Sequence, residues 1–150
     1  MKKSLIAIAI ALASTASFAQ TKPEDAIKFR QSGYAFMAWN MARIKASVEG
    51  NFNKEEVIKA ANAIQAIANS GMGALYLPGT DKGKGWEETR AKSEIWTDKE
   101  TLGKAAMAFN KEANEMAKVA LSGDAAAVGA QLGKLGGTCK GCHDDFKAKR

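Results

Sequence analysis

The sequence predicts an all-α fold, an antiparallel four-helix bundle, on three observations. Four segments carry apolar residues at alternating steps of three and four, which gathers them on one helical face. Those segments open on residues that cap helices, and three of them run out at glycine or a basic tail. No stretch of useful length alternates apolar and polar residues with the period of two that a strand requires.

The first segment runs from Pro23 to about Glu49. Proline suits a first turn because the amide hydrogen it lacks would have no partner there, and Glu24 and Asp25 complement the positive end of the helix dipole. Ile27, Tyr34, Met37, Met41, Ile44 and Val48 form its core stripe. Phe29, Gly33 and Phe36 make a second apolar strip about one residue step away, which is either a docking face or a flank of the core. The second segment opens at Asn53, a good cap with Glu56 three residues on, and carries Val57, Ala61, Ile64 and Ala68 until Gly71 and Gly73 stop it.

Residues 73 to 96 hold Pro78-Gly79, Gly83 and Gly85 among scattered charges and sustain neither period, so they read as a long crossover loop. Thr97-Asp98-Lys99-Glu100 reads as a capping box that opens a third helix. Its face is Leu102, Ala106, Phe109, Ala113, Met116 and Ala120, and Gly123 ends it. Asp124 caps the fourth helix, whose stripe is Val128, Leu132, Leu135, Cys139, Cys142 and Phe146.

That last stripe contains the chemistry. Cys139-Lys140-Gly141-Cys142-His143 holds the only two cysteines and the only histidine of the chain. Two thiols three residues apart add to the two vinyl groups of one haem, and a histidine directly after the second places its imidazole under the iron. On a helix the three side chains stand at i, i+3 and i+4 and share one face. A zinc site would want four nitrogen or sulfur ligands, and the chain offers three. A dithiol redox motif would want neighbouring strands, and no strand pattern flanks this one. The expectation is one covalent haem c per chain, with Cys139 and Cys142 as attachment points, His143 as the metal ligand, and the macrocycle buried between helices.

Residues 1–19 read as a signal peptide: Lys2 and Lys3, an apolar run from Leu5 to Leu12, and Ser17-Phe18-Ala19 before the cut. The apolar run is too short for a membrane anchor, so no membrane insertion is expected after cleavage. Residues 20–150 are then one domain in the periplasm, where haem attachment to thiols takes place. The formal charge of +6 falls by two when Lys2 and Lys3 leave. What remains is mildly basic without a concentrated stripe, which gives no support to nucleic-acid binding and leaves room for an acidic redox partner.

Over its whole mature length the chain resembles the class II c-type cytochromes, and among them cytochrome c prime, a family of four-helix bundles. The resemblance rests on Lys22-Pro23-Glu24-Asp25-Ala26 with Phe29-Arg30-Gln31-Ser32, Pro78-Gly79-Thr80, Thr89-Arg90-Ala91-Lys92, Glu94-Ile95-Trp96 and the haem motif close to the C-terminus. It implies that Arg30, Gln31, Thr89 and Arg90 contact the haem edge and propionates, that Lys147 lies beside the proximal imidazole, and that the protein is a homodimer through its first helix. Ser93 departs from the proline many relatives have there.

Function turns on the sixth iron position. Six-coordinate, low-spin members of the family place a methionine four residues after the arginine of the Arg-Gln pair, and here Tyr34 stands at that place. A neutral phenol is a poor iron ligand, so Tyr34, with Met37 beside it in a distal pocket, is expected to cover an open face. The iron would be five-coordinate and high-spin, binding nitric oxide or carbon monoxide. The alternative is a soluble electron-transfer cytochrome with a methionine, Met37 or Met41, on the iron. An enzyme is not expected, because no second histidine exists to serve the distal face.

Overall fold

The computed structural model describes residues 21–149, so the leader expected at 1–19 lies outside the described residues. Five helices form among them: α1 (Pro23–Glu49), α2 (Lys54–Ala68), the single-turn α3 (Glu94–Thr97), α4 (Lys99–Ala120) and α5 (Ala125–Phe146), with a 3-10 turn at Met72–Leu75. α1, α2, α4 and α5 are the four long members of the bundle.

The caps explain the boundaries. Asn53 Oδ1 accepts the amide of Glu56 at 3.2 Å and starts α2. Asp124 accepts the amides of Ala126 and Ala127 at 2.9 and 3.1 Å and starts α5. α1 has no side-chain cap and relies on Pro23 in its first turn. The capping-box expectation needs correction: Asp98, not Thr97, caps α4, accepting the amide of Thr101 at 3.1 Å. Thr97 instead closes α3, and Glu100 pairs with Lys104 Nζ at 2.6 Å. The crossover is likewise more ordered than a bare loop, since the 3-10 turn and α3 both lie in it. Ser93 does not prevent α3 from turning: the amide of Trp96 donates to the Ser93 carbonyl at 3.0 Å.

Around the bundle α1 packs on α2, α2 on α4, α4 on α5, and α5 returns to α1. Residues 50–53 and 121–124 turn the chain at one end, and the 69–98 crossover spans the other, so neighbouring helices run antiparallel. Near the turn end the core is hydrocarbon: Ile44, Val57, Ile64, Met116, Val128 and Leu135 are fully buried. Ala60, Ala61, Ala113 and Ala120 between them let the helices approach closely. Each large side chain contributes about 1.5–3 kcal/mol by leaving water. At the crossover end the buried set is smaller and mixed, with Ala26, Ile27, Ile95 and Phe146 beside Arg30 and Thr80. There the chain's tail is stitched to the crossover, the Lys92 amide donating to Phe146 O at 3.0 Å and the Ala148 amide to Arg90 O at 2.8 Å. Ala106, expected on the core face, is exposed, because α4 projects past the hydrocarbon core at this end.

Candidate functional site

The last two turns of α5 bring Cys139, Cys142 and His143 to the crossover end. Both thiols are half-buried, and burial pushes each above the ordinary cysteine value, with Cys139 and Asp145 adding to the rise at Cys142. Cys142 lines a groove of about 310 Å³ between α4 and α5, with Ala105, Ala108, Thr138 and Gly141. His143 lines a cleft of about 450 Å³ with Arg90, Lys92 and Lys147. Desolvation first, and then the charges of Lys147 and Arg90, lower the His143 pKa. That direction favours the neutral imidazole, the form that ligates a metal.

Arg30 enters from α1 and is 4% exposed. Its guanidinium donates to Thr80 Oγ1 at 2.7 Å, Thr89 Oγ1 at 2.8 Å, Leu75 O at 3.3 Å and the carbonyl of Thr80. All these acceptors are neutral, and among the described residues no carboxylate forms an ion pair with it. Burial lowers its pKa, while the nearby Tyr76 and Tyr34 oppose the shift. A buried cation served only by neutral oxygens suits an anionic group nearby. Two thiols at i and i+3, an adjacent imidazole and this positive charge without an ionic partner together suit a haem with its propionates.

Gln31 is committed elsewhere. Its amide nitrogen donates to Glu87 O at 2.9 Å and its oxygen accepts the amide of Trp86 at 2.8 Å, which fixes the crossover against α1. The chain approaches so closely there that a Cβ on Gly85 would stand 2.7 Å from the Lys28 amide nitrogen. Thr89 is held by Arg30, and Arg90 sits in the His143 cleft.

Tyr34 carries the third part of the site. The hydroxyl of Tyr76, from the crossover, donates to the Tyr34 hydroxyl at 3.0 Å. Burial pushes the Tyr34 hydroxyl far above its ordinary value, with Tyr76 and Cys142 adding to the rise, so it stays protonated through the neutral range. Met37, read from sequence as part of a distal pocket, lies in the apolar core with Ile44 and Ile64. Met72 packs on α1 so tightly that a Cβ on Gly33 would meet its sulfur at 2.9 Å, so Gly33 serves the 3-10 turn and does not belong to the exposed strip. Phe29 and Phe36 are about half exposed on α1, and Trp39 joins them with its ring centroid 5.4 Å from that of Phe36.

Sequence reasoning passed over Tyr76 altogether and attached no structural role to Thr80 or Trp96. The one signal for Tyr76 was an aromatic side chain inside an irregular stretch, next to Leu77-Pro78-Gly79.

A four-helix bundle with two thiols and a histidine so placed on its last helix is a c-type haem protein. The family model described as Cytochrome C' matches residues 25–147. The cytochrome c' of Rhodocyclus tenuis is 59% identical over 129 residues, covering 85% of this chain and 97% of that protein. A solved cytochrome c' with ligand-controlled dimer dissociation superposes with a TM-score of 0.84 at 51% identity, over 87% of this chain and all (100%) of the other. A nitric oxide-bound variant of the cytochrome c' of Alcaligenes xylosoxidans superposes with a TM-score of 0.76 at 30% identity, over 87% and 98% of the two chains. The chain belongs to the cytochrome c' family, whose members carry covalently bound haem c.

Proposed function

We propose that this chain is a periplasmic haem protein that binds nitric oxide and carbon monoxide on a face covered by Tyr34. The observation that carries the reading is Tyr34 itself. It occupies the place of the ligating methionine of low-spin relatives, its phenol is a neutral and poor iron ligand, and it is hydrogen-bonded to Tyr76. His143 would hold the iron of the haem, which when bound would supply a coordination position for the gas. Cys139 and Cys142 tether the macrocycle, Arg30 and Arg90 offer positive charge to its propionates, and Lys147 helps keep the imidazole neutral.

Tyr34 excludes water and larger anions while leaving a small, uncharged diatomic room to enter as the ring swings aside. The relative bound to nitric oxide supports the same ligand class here. The reading is of a binding protein and not of an enzyme; peroxide turnover well above that of free haem would overturn it. The exposed α1 aromatics Phe29, Phe36 and Trp39 support a homodimer through this helix, and a related protein is itself a dimer that its ligand dissociates. Sedimentation showing only monomer at micromolar concentration would remove that part. Periplasmic location is supported by the leader at 1–19, and no helix among the described residues is long and apolar enough to cross a membrane.

The test is the visible spectrum of the ferrous haem-loaded protein before and after carbon monoxide. A broad high-spin band that sharpens with the gas is expected. A split low-spin band indifferent to the gas would place a methionine on the iron and make the protein an electron carrier exchanging with a periplasmic redox partner.

A further inference from the structure

Tyr76 is held in the crossover on several sides. Its amide donates to Gly73 O at 3.1 Å and its carbonyl accepts Trp96 Nε1 at 3.1 Å, so the backbone is fixed on both sides. The Arg30 guanidinium lies 4.8 Å from its ring centroid, and the Trp96 ring meets it edge-on at 6.5 Å. Arg30 is in turn bonded to Thr80 and Thr89 farther along the crossover. A ring held this way has little freedom of its own.

The Tyr34 side chain, 41% exposed on α1, has one hydrogen-bond partner among the described residues, the Tyr76 hydroxyl. Resting on the reading of Tyr34 as a lid, we infer that Tyr76 is a positioning residue that latches this lid closed. The gas must break one hydrogen bond to move Tyr34, and the crossover, through Tyr76, sets how readily it does so. A latch of this kind slows gas entry exponentially with the free energy of that bond, and one net hydrogen bond corresponds to roughly fivefold in rate.

The experiment is carbon monoxide association with the ferrous haem-loaded protein after flash photolysis, in wild type, Tyr76→Phe, Tyr34→Phe, the double variant and Tyr34→Ala. Tyr76→Phe keeps the ring against Arg30 and Trp96 and removes only the hydroxyl. It is expected to speed association roughly fivefold, Tyr34→Phe by the same factor, and the double variant no further than either alone, because both remove one bond. If Tyr76→Phe speeds binding equally in the Tyr34→Phe background, it acts by loosening the crossover and the latch is overturned. Wild-type rates in Tyr76→Phe with fast binding in Tyr34→Ala would overturn the latch and keep the lid. Wild-type rates in Tyr34→Ala would overturn the lid, and the latch with it. A denaturant midpoint lowered only slightly in Tyr76→Phe, by no more than the loss of one net hydrogen bond, is the expected companion result.

Discussion

The two ends of the bundle are held together by different means. At the turn end Ile44, Val57, Ile64, Met116, Val128 and Leu135 exclude water completely, and two four-residue turns join the helices. At the crossover end a buried guanidinium, two threonine hydroxyls and a tyrosine pair hold 30 residues of crossover, 69–98, to α1. Hydrocarbon packing is non-directional and specifies a rigid frame. Hydrogen bonds are directional and individually weak, so the end that uses them can place a cofactor and still yield to a small ligand.

The largest effect should come from the frame. Leu135→Ala, one helical turn before Cys139, leaves a cavity among fully buried neighbours and is expected to cost about 2–5 kcal/mol in guanidinium denaturation of the haem-loaded protein. Carbon monoxide association should change little. A large change in gas binding with little loss of stability would erase the division between the two ends.

Next is Arg30→Ala. It leaves Leu75 O without its donor and Thr80 O with only the long bond from the Thr89 hydroxyl at 3.4 Å, and removes the charge beneath the Tyr76 ring, with an expected cost of about 1–3 kcal/mol. The contrast with Leu135→Ala lies in the second readout: gas association should quicken, since the Tyr76 ring loses one of its two braces. Arg30→Lys should fail to restore the wild-type rate, because an ammonium cannot present the same fork to Thr80 and Thr89. Gly85→Ala tests the crossover without removing a polar group. The added methyl meets the Lys28 backbone and the Gln31 amide, and a cost of about 1–3 kcal/mol is expected from lifting the segment away from α1.

The frame was legible in the sequence, and most of the site's periphery was not. Pro23, Asn53 and Asp124 mark helix starts by local chemistry, and the apolar steps through Ile44, Ile64, Met116 and Leu135 are local periodicity. The haem motif is local as well, confined to five consecutive residues. What escaped was long-range. Arg30 meets Thr80 and Thr89 at separations of 50 and 59 residues, and Tyr34 meets Tyr76 at 42, with no period or motif to announce either. Gln31 shows a second long-range role that the sequence did not announce: its amide bonds the backbone of Trp86 and Glu87, 55 and 56 residues away. At α4 two adjacent residues competed for one cap, and Asp98 won because Thr97 was already the last residue of α3.

That cap yields the smallest effect and the most selective one. Asp98 accepts the Thr101 amide, and this bond, backbone first, holds its carboxyl below the ordinary aspartate value. A folded pKa below the unfolded one means that the cap's contribution is fully present above the ordinary aspartate range. It is lost as pH falls through the depressed folded value, when the bond to the protonated carboxyl loses its charge assistance and weakens. Acid should therefore fray the first turn of α4, next to the crossover, before the hydrocarbon frame responds. Protection of the Thr101 and Leu102 amides, measured against their intrinsic exchange rates, is expected to fall as pH drops below about 4, the unperturbed aspartate pKa, while the amides near Met116 stay protected. Asp98→Asn keeps an acceptor that does not titrate, so it should remove the pH dependence and retain the protection. If the Asn variant frays with acid as the wild type does, another group at the crossover end controls the turn, and its weakness to acid has a different origin.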